Sequence, residues 1–142
     1  MKRVRDILEA KGRDVWSIAP DASVYDAIKV MAEKSIGALL VVEGGQLVGI
    51  ISERDYARKV ILQGRSSKTT PVREIMTSRV IYTHPDQNIE ECMAVMTEKR
   101  IRHLPVLEQG RLVGVISIGD LVKSIIVEQK FIIEQLEKYI TS

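Results

Sequence analysis

The chain has 142 residues, enough for one ordinary domain or for two very small units sharing a core. Its 21 basic and 19 acidic side chains leave a formal charge of +2, too small to imply a polyanion partner; one Trp, one Phe and four Tyr make no stacking platform for single-stranded nucleic acid. A lone cysteine, Cys92, rules out an intrachain disulfide and a Cys-based metal cluster, and no run reaches the ~18 apolar residues of a membrane span.

In chain order, Val4 to Lys11 predicts a short helix, reached from Met1-Lys2-Arg3 without an apolar leader, so the cytoplasm is the expected compartment. Val15 to Ile18 predicts a short strand stopped at Pro20. Asp21 and Ser23 offer caps to a helix running to about Lys34, with Val24, Ala27, Ile28 and Met31 on one face. Ala38 to Val42 is an apolar run of strand length, Glu43-Gly44-Gly45-Gln46 a hairpin turn, and Leu47 to Ile51 the partner strand. Ser52 starts a helix to about Gln63. After the polar stretch 64–71, Thr70 as cap and Pro71 in the first turn predict another short helix.

The order then repeats: strand Val80 to Thr83, stop at Pro85, helix Asn88 to Arg100, strand His103 to Leu107, turn at Gln109-Gly110, strand Leu112 to Ile116, and a helix from Ser117 onward. Set against Val80, Val15 begins an ungapped match: Pro20-Asp21 meets Pro85-Asp86, Val30-Met31 meets Val95-Met96, and Leu47-Val48-Gly49 meets Leu112-Val113-Gly114. A smaller echo precedes each copy, Val4 to Leu8 against Val72 to Met76. The predicted class is α+β with mixed layers. It is built from two β-α-β-β-α repeats, 1–68 and 69–142, that share one core about a pseudo-two-fold axis. The last helix breaks the symmetry. It runs to about Thr141 with Val122, Ile126, Ile133, Leu136 and Ile140 at near-heptad spacing, which predicts contact with another chain beyond Glu128. Cys92, among Ile89, Met93 and Met96, reads as a small buried hydrophobe.

Each repeat ends its last strand in Gly-h-h-Ser-x-x-Asp, where h is apolar: Ser52 with Asp55, and Ser117 with Asp120. As local structure this is a helix cap, a hydroxyl accepting from a free N–H and a carboxylate at the positive helix end. The glycine three residues before each serine permits close backbone approach. The same corner also has the chemistry to bind ribose: a carboxylate in a first helical turn can accept from two adjacent hydroxyls. Arg54, Arg58 and Lys59 lie beside Asp55 in the sequence, and Arg102-His103 lead into the second repeat's apolar strand, where the first has Gly37-Ala38. These basic groups are candidate phosphate contacts. His84, before Pro85, reads as a turn residue. No nucleophile–base pair, metal-ligand cluster or P-loop stands out, so neither a catalytic residue nor a metal site is expected.

Two such copies, with Arg102-His103-Leu104-Pro105-Val106 before the middle strand, resemble a pair of cystathionine β-synthase (CBS) domains, a Bateman module. The resemblance covers essentially the whole chain, so the expected entity is a stand-alone regulatory module and not an enzyme. It implies an adenosine-containing ligand (AMP, ADP, ATP, NAD(H) or S-adenosylmethionine) in a cleft between the repeats. Asp55 and Asp120 would hold ribose with Ser52 and Ser117 beside them. Ile18 and Thr83 would line the adenine pocket, and Arg58, Arg102 and His103 would face phosphate. It further implies a disc-shaped homodimer signalling to an unidentified regulated protein, with no nucleic acid and no membrane insertion. The alternatives are a structural dimerisation module whose corners are only caps and, less favoured by the residues, a nucleotide-processing enzyme.

Overall fold

A computed structural model describes residues 2–141. In it α1 (Val4–Lys11) is followed by β1 (Ser17–Ile18), α2 (Val24–Lys34), β2 (Ala38–Glu43) and β3 (Gln46–Ser52). Then come α3 (Glu53–Tyr56), α4 (Ile89–Lys99), β4 (His103–Glu108), β5 (Arg111–Ser117) and α5 (Ile118–Thr141). A π-helical turn, Ala57–Ile61, extends α3, and a 3-10 turn, Val72–Glu74, stands where the short helix after Pro71 is predicted. Thr70 is not its cap: the buried hydroxyl donates instead to Ser66 O at 2.7 Å.

The chain packs as two units, and they do not coincide with the sequence boundary at 68/69. One unit spans Val15–Ile81; the other joins the residues up to Asp14 to those from Tyr82 on. The leader of each repeat therefore packs on the other repeat's strands. In the first unit Val72 N–H donates to Ala22 O at 2.8 Å and Arg73 N–H to Pro20 O at 2.9 Å. In the second, Val4 N–H donates to Gln87 O and Arg5 N–H to Pro85 O, both at 2.9 Å. These are matching bonds at matching positions of the two copies.

In the first unit β2 pairs with β1 in parallel and with β3 antiparallel. Val24, Ala27 and Met31 of α2 close its core against Leu39, Val41, Ile51, Val72 and Ile75. The second unit has the antiparallel β4–β5 pair. The strand predicted at Val80 to Thr83 is reduced there to a single bridge from Thr83 to Val106, with Thr83 N–H to Pro105 O and Leu107 N–H to Thr83 O at 2.9 Å. Its core is Val4, Ile7, Leu8, Ile89, Met96, Leu104, Val106, Ile116 and Leu121. Cys92 is buried there as expected, and burial pushes its thiol pKa up, away from a reactive thiolate.

Both hairpins turn through two residues of positive φ, Gly44-Gly45 (58° and 78°) and Gln109-Gly110 (51° and 77°), the conformation whose twist matches paired strands. The strand glycines have a packing reason. A Cβ on Gly49 would lie 2.6 Å from Met76 Sδ, and one on Gly114 would lie 2.6 Å from Leu8 Cδ2. Each glycine is the seat of the leader that has crossed to it.

Candidate functional site

Each corner forms where an apolar strand meets a helix N-terminus. At the first, Ser52 N–H donates to Asp55 Oδ2 at 2.9 Å and Asp55 N–H to Ser52 Oγ at 3.2 Å. At the second, Ser117 N–H donates to Asp120 Oδ2 at 2.8 Å and Asp120 N–H to Ser117 Oγ at 3.2 Å. Both are reciprocal capping boxes, so the serine and aspartate positions are fixed by local backbone needs before any ligand is considered.

A second pair of bonds brings the strand start to each corner. Glu53 N–H donates to Gly37 O at 3.1 Å, and Ile118 N–H to Arg102 O at 2.9 Å. Register sets Ala38 opposite Ser52 and His103 opposite Ser117. Arg102, His103, Ser117 and Asp120 are thus gathered at one end of the β4–β5 hairpin. The first corner has no basic pair in that place.

A lysine lies at each carboxylate, and the sequence signals only one of the two. Lys59 Nζ lies 3.1 Å from Asp55 Oδ1 and donates to Ile75 O at 2.9 Å. Lys11 Nζ, at the end of α1, donates to Asp120 Oδ2 at 2.7 Å and to Val115 O at 2.9 Å. Lys59 has a usable signal, the i,i+4 spacing from an acidic residue on a helix. Lys11 has none, since 109 positions separate it from Asp120.

Burial pushes the Asp120 carboxyl up. The Lys11 ammonium and the Ser117 N–H and hydroxyl outweigh that and hold it below the usual carboxylate value. His103 is shifted down, first by burial and then by the positive charges of Lys11 and Arg102, against the pull of Asp120. The shift favours the neutral imidazole, a hydrogen-bonding group, over the cation.

The remaining predicted positions are more dispersed. Ile18 is half-buried on β1 opposite Val41. Thr83 is buried, and its hydroxyl donates to Gln87 Oε1 at 2.5 Å and lies 3.5 Å from Cys92 Sγ, so a ligand could take this hydroxyl only by exchanging those partners. Arg54 and Arg58 are exposed, Arg54 in α3 and Arg58 in the π turn. Among the described residues no group of His, Cys, Asp and Glu could hold a metal ion, and no helix is long and apolar enough to cross a membrane.

The CBS domain family model matches residues 4–61 and 72–127. A protein with CBS domains from Burkholderia ambifaria is 60% identical, with a TM-score of 0.88 over 90% of this chain and 96% of that one. The mitochondrial CBS domain-containing protein CBSX3 of Arabidopsis thaliana is 41% identical over 96% of this chain and 71% of its own length. The CBS domain pair of MJ0100, crystallised with 5′-methylthioadenosine and S-adenosyl-L-methionine, is 28% identical, with a TM-score of 0.80 over 90% of this chain and 98% of that one.

Proposed function

Since this chain belongs to the CBS-domain family, we propose that it is a regulatory module that binds an adenosine-containing ligand at its Ser-x-x-Asp corners. The observation that carries this reading is the second corner. A carboxylate held ionised in a helix N-terminus stands beside Arg102 and His103, so groups suited to ribose hydroxyls and to phosphate share one hairpin end. The adenosine derivatives bound by the MJ0100 pair support the ligand class. In this reading AMP, ADP, ATP, NAD(H) and S-adenosylmethionine are the candidates, and the chain regulates a partner and catalyses nothing itself. A ligand shifts such a module only by preferring one of its states, and a partner reads the shift only by the same rule.

The module also pairs with a second copy of itself through α5. Ile126, Phe131, Ile133, Leu136 and Ile140 are all exposed along this helix. Ile126, Ile133 and Ile140 repeat every seven residues, and Val122, Gln129 and Leu136 form the alternate heptad position, which is a coiled-coil seam.

Calorimetric titration with AMP, ATP, NAD, NADH and S-adenosylmethionine tests the ligand reading; silence with all five sinks it. Asp120→Ala removes a charged acceptor and should weaken a bound ligand roughly tenfold to a hundredfold. The reciprocal capping boxes favour one rival reading, in which the corners are caps alone. An Asp120→Ala protein that melts earlier yet binds as before decides for that rival.

A further inference from the structure

Lys11 belongs to no corner motif, yet its ammonium lies on the carboxylate of one. Two of its three N–H donors go to Val115 O and Asp120 Oδ2. The side chain is 37% exposed, so solvent and a ligand can reach the third donor. The bonds to the Asp120 carboxylate from Lys11 and from Ser117 N–H both fall on Oδ2. The corner therefore offers a carboxylate oxygen and an ammonium N–H side by side, with the guanidinium of Arg102 on the adjoining strand start.

We propose that Lys11 is the specificity-determining residue of the second corner, its ammonium cancelling the charge of Asp120 and giving its remaining donor to an anionic group, so that this corner selects phosphorylated over neutral adenosine ligands. The proposal rests on the ligand-binding reading above and adds the basis of selection. Without Lys11 the Asp120 carboxylate would stand uncompensated and repel an incoming phosphate. A neutral nucleoside would lose little, because its hydroxyls need only the carboxylate.

The test is a titration by amide NMR that follows the Ser117 and Asp120 backbone signals, so that the second corner alone is read. AMP and adenosine are the two probes, applied to the wild type, Lys11→Met and Lys11→Arg. Lys11→Met should weaken AMP about tenfold or more while leaving adenosine within about threefold, and Lys11→Arg should restore AMP. Lys11→Gln, which drops the charge but keeps a donor, replaces the Met variant if that one fails to fold. If AMP and adenosine weaken equally, or neither changes, Lys11 is only a tether: this proposal falls and the ligand-binding reading stands. If neither probe shifts the wild-type signals but calorimetry finds another ligand, this proposal alone falls. Silence in both experiments overturns the two together.

Discussion

At the first corner the lysine beside the aspartate lies one helical turn downstream, Lys59 next to Asp55. At the second it arrives from α1, 109 positions upstream, Lys11 next to Asp120. The copy of Lys59 in the second repeat is Ser124, whose buried Oγ has no hydrogen-bond partner among the described residues. The copy of Lys11 is the exposed Arg79. Each ammonium acts in the same two ways, neutralising the corner carboxylate and tying the corner to the crossed leader. Lys59 reaches out to Ile75 O in a leader, while Lys11 reaches in from a leader to Val115 O. The contact is preserved although the residue making it has changed sides. Duplication thus fixes the cap geometry in both copies and leaves the surrounding charge free to differ.

The comparison can be broken most strongly at the leaders. Leu8 is buried against Gly114, whereas its counterpart Met76 is only half-buried against Gly49. Leu8→Ala should cost about 2–5 kcal/mol in urea denaturation and Met76→Ala distinctly less. A near-neutral Leu8→Ala would mean that the leader is not docked as described. Next come the glycines. Gly49→Ala and Gly114→Ala should each cost about 1–3 kcal/mol, because each new Cβ overlaps a packed neighbour. Their remedies differ. At Gly114 the three nearest atoms belong to Leu8, so Leu8→Ala relieves the clash; at Gly49 the Thr77 carbonyl oxygen stands 3.1 Å away and stays after Met76→Ala. A double-mutant cycle should therefore show larger coupling at 8/114 than at 76/49.

The smallest expected effect is electrostatic. The folded value of Asp120 lies below its unfolded one, so its contribution is complete above the usual carboxylate value and is lost as pH falls through the folded value. Lys11 is partly exposed, which limits that contribution to about 1 kcal/mol or less. Asp120→Asn should flatten this part of the acid limb of a stability–pH curve, and Lys11→Met should reproduce much of the flattening.

The residues made the local features legible and the crossings illegible. Ser-x-x-Asp at the end of a strand encodes a capping box within four residues, and the hairpins follow from their turn glycines. The Val80 to Thr83 segment has strand composition, but side-chain type cannot say how much of it finds a paired neighbour; one bridge is all it keeps. The apolar face of Val4, Ile7 and Leu8 predicts burial without an address, and the similarity of Val72 to Met76 offers two equivalent places for it. The boundary at 68/69 follows sequence similarity, whereas packing follows the exchange of leaders. Lys11 is illegible for the same reason, since its role exists only once α1 has docked beside Asp120.

The exchange of leaders also sets a timetable for synthesis. The leader Val4 to Leu8 leaves the ribosome about a hundred residues before the strands it packs beside; Lys11 and Val115, which touch, are 104 positions apart. At ordinary translation speeds that is a wait of roughly 5–20 s. The middle unit, Val15–Ile81, is complete before it ends. Until residues 72–76 emerge, the face around Gly49 is uncovered, and the similar segment already outside is Val4 to Leu8. The nascent chain therefore holds two similar segments when that face forms, and in the fold only the later one, Val72 to Met76, occupies it.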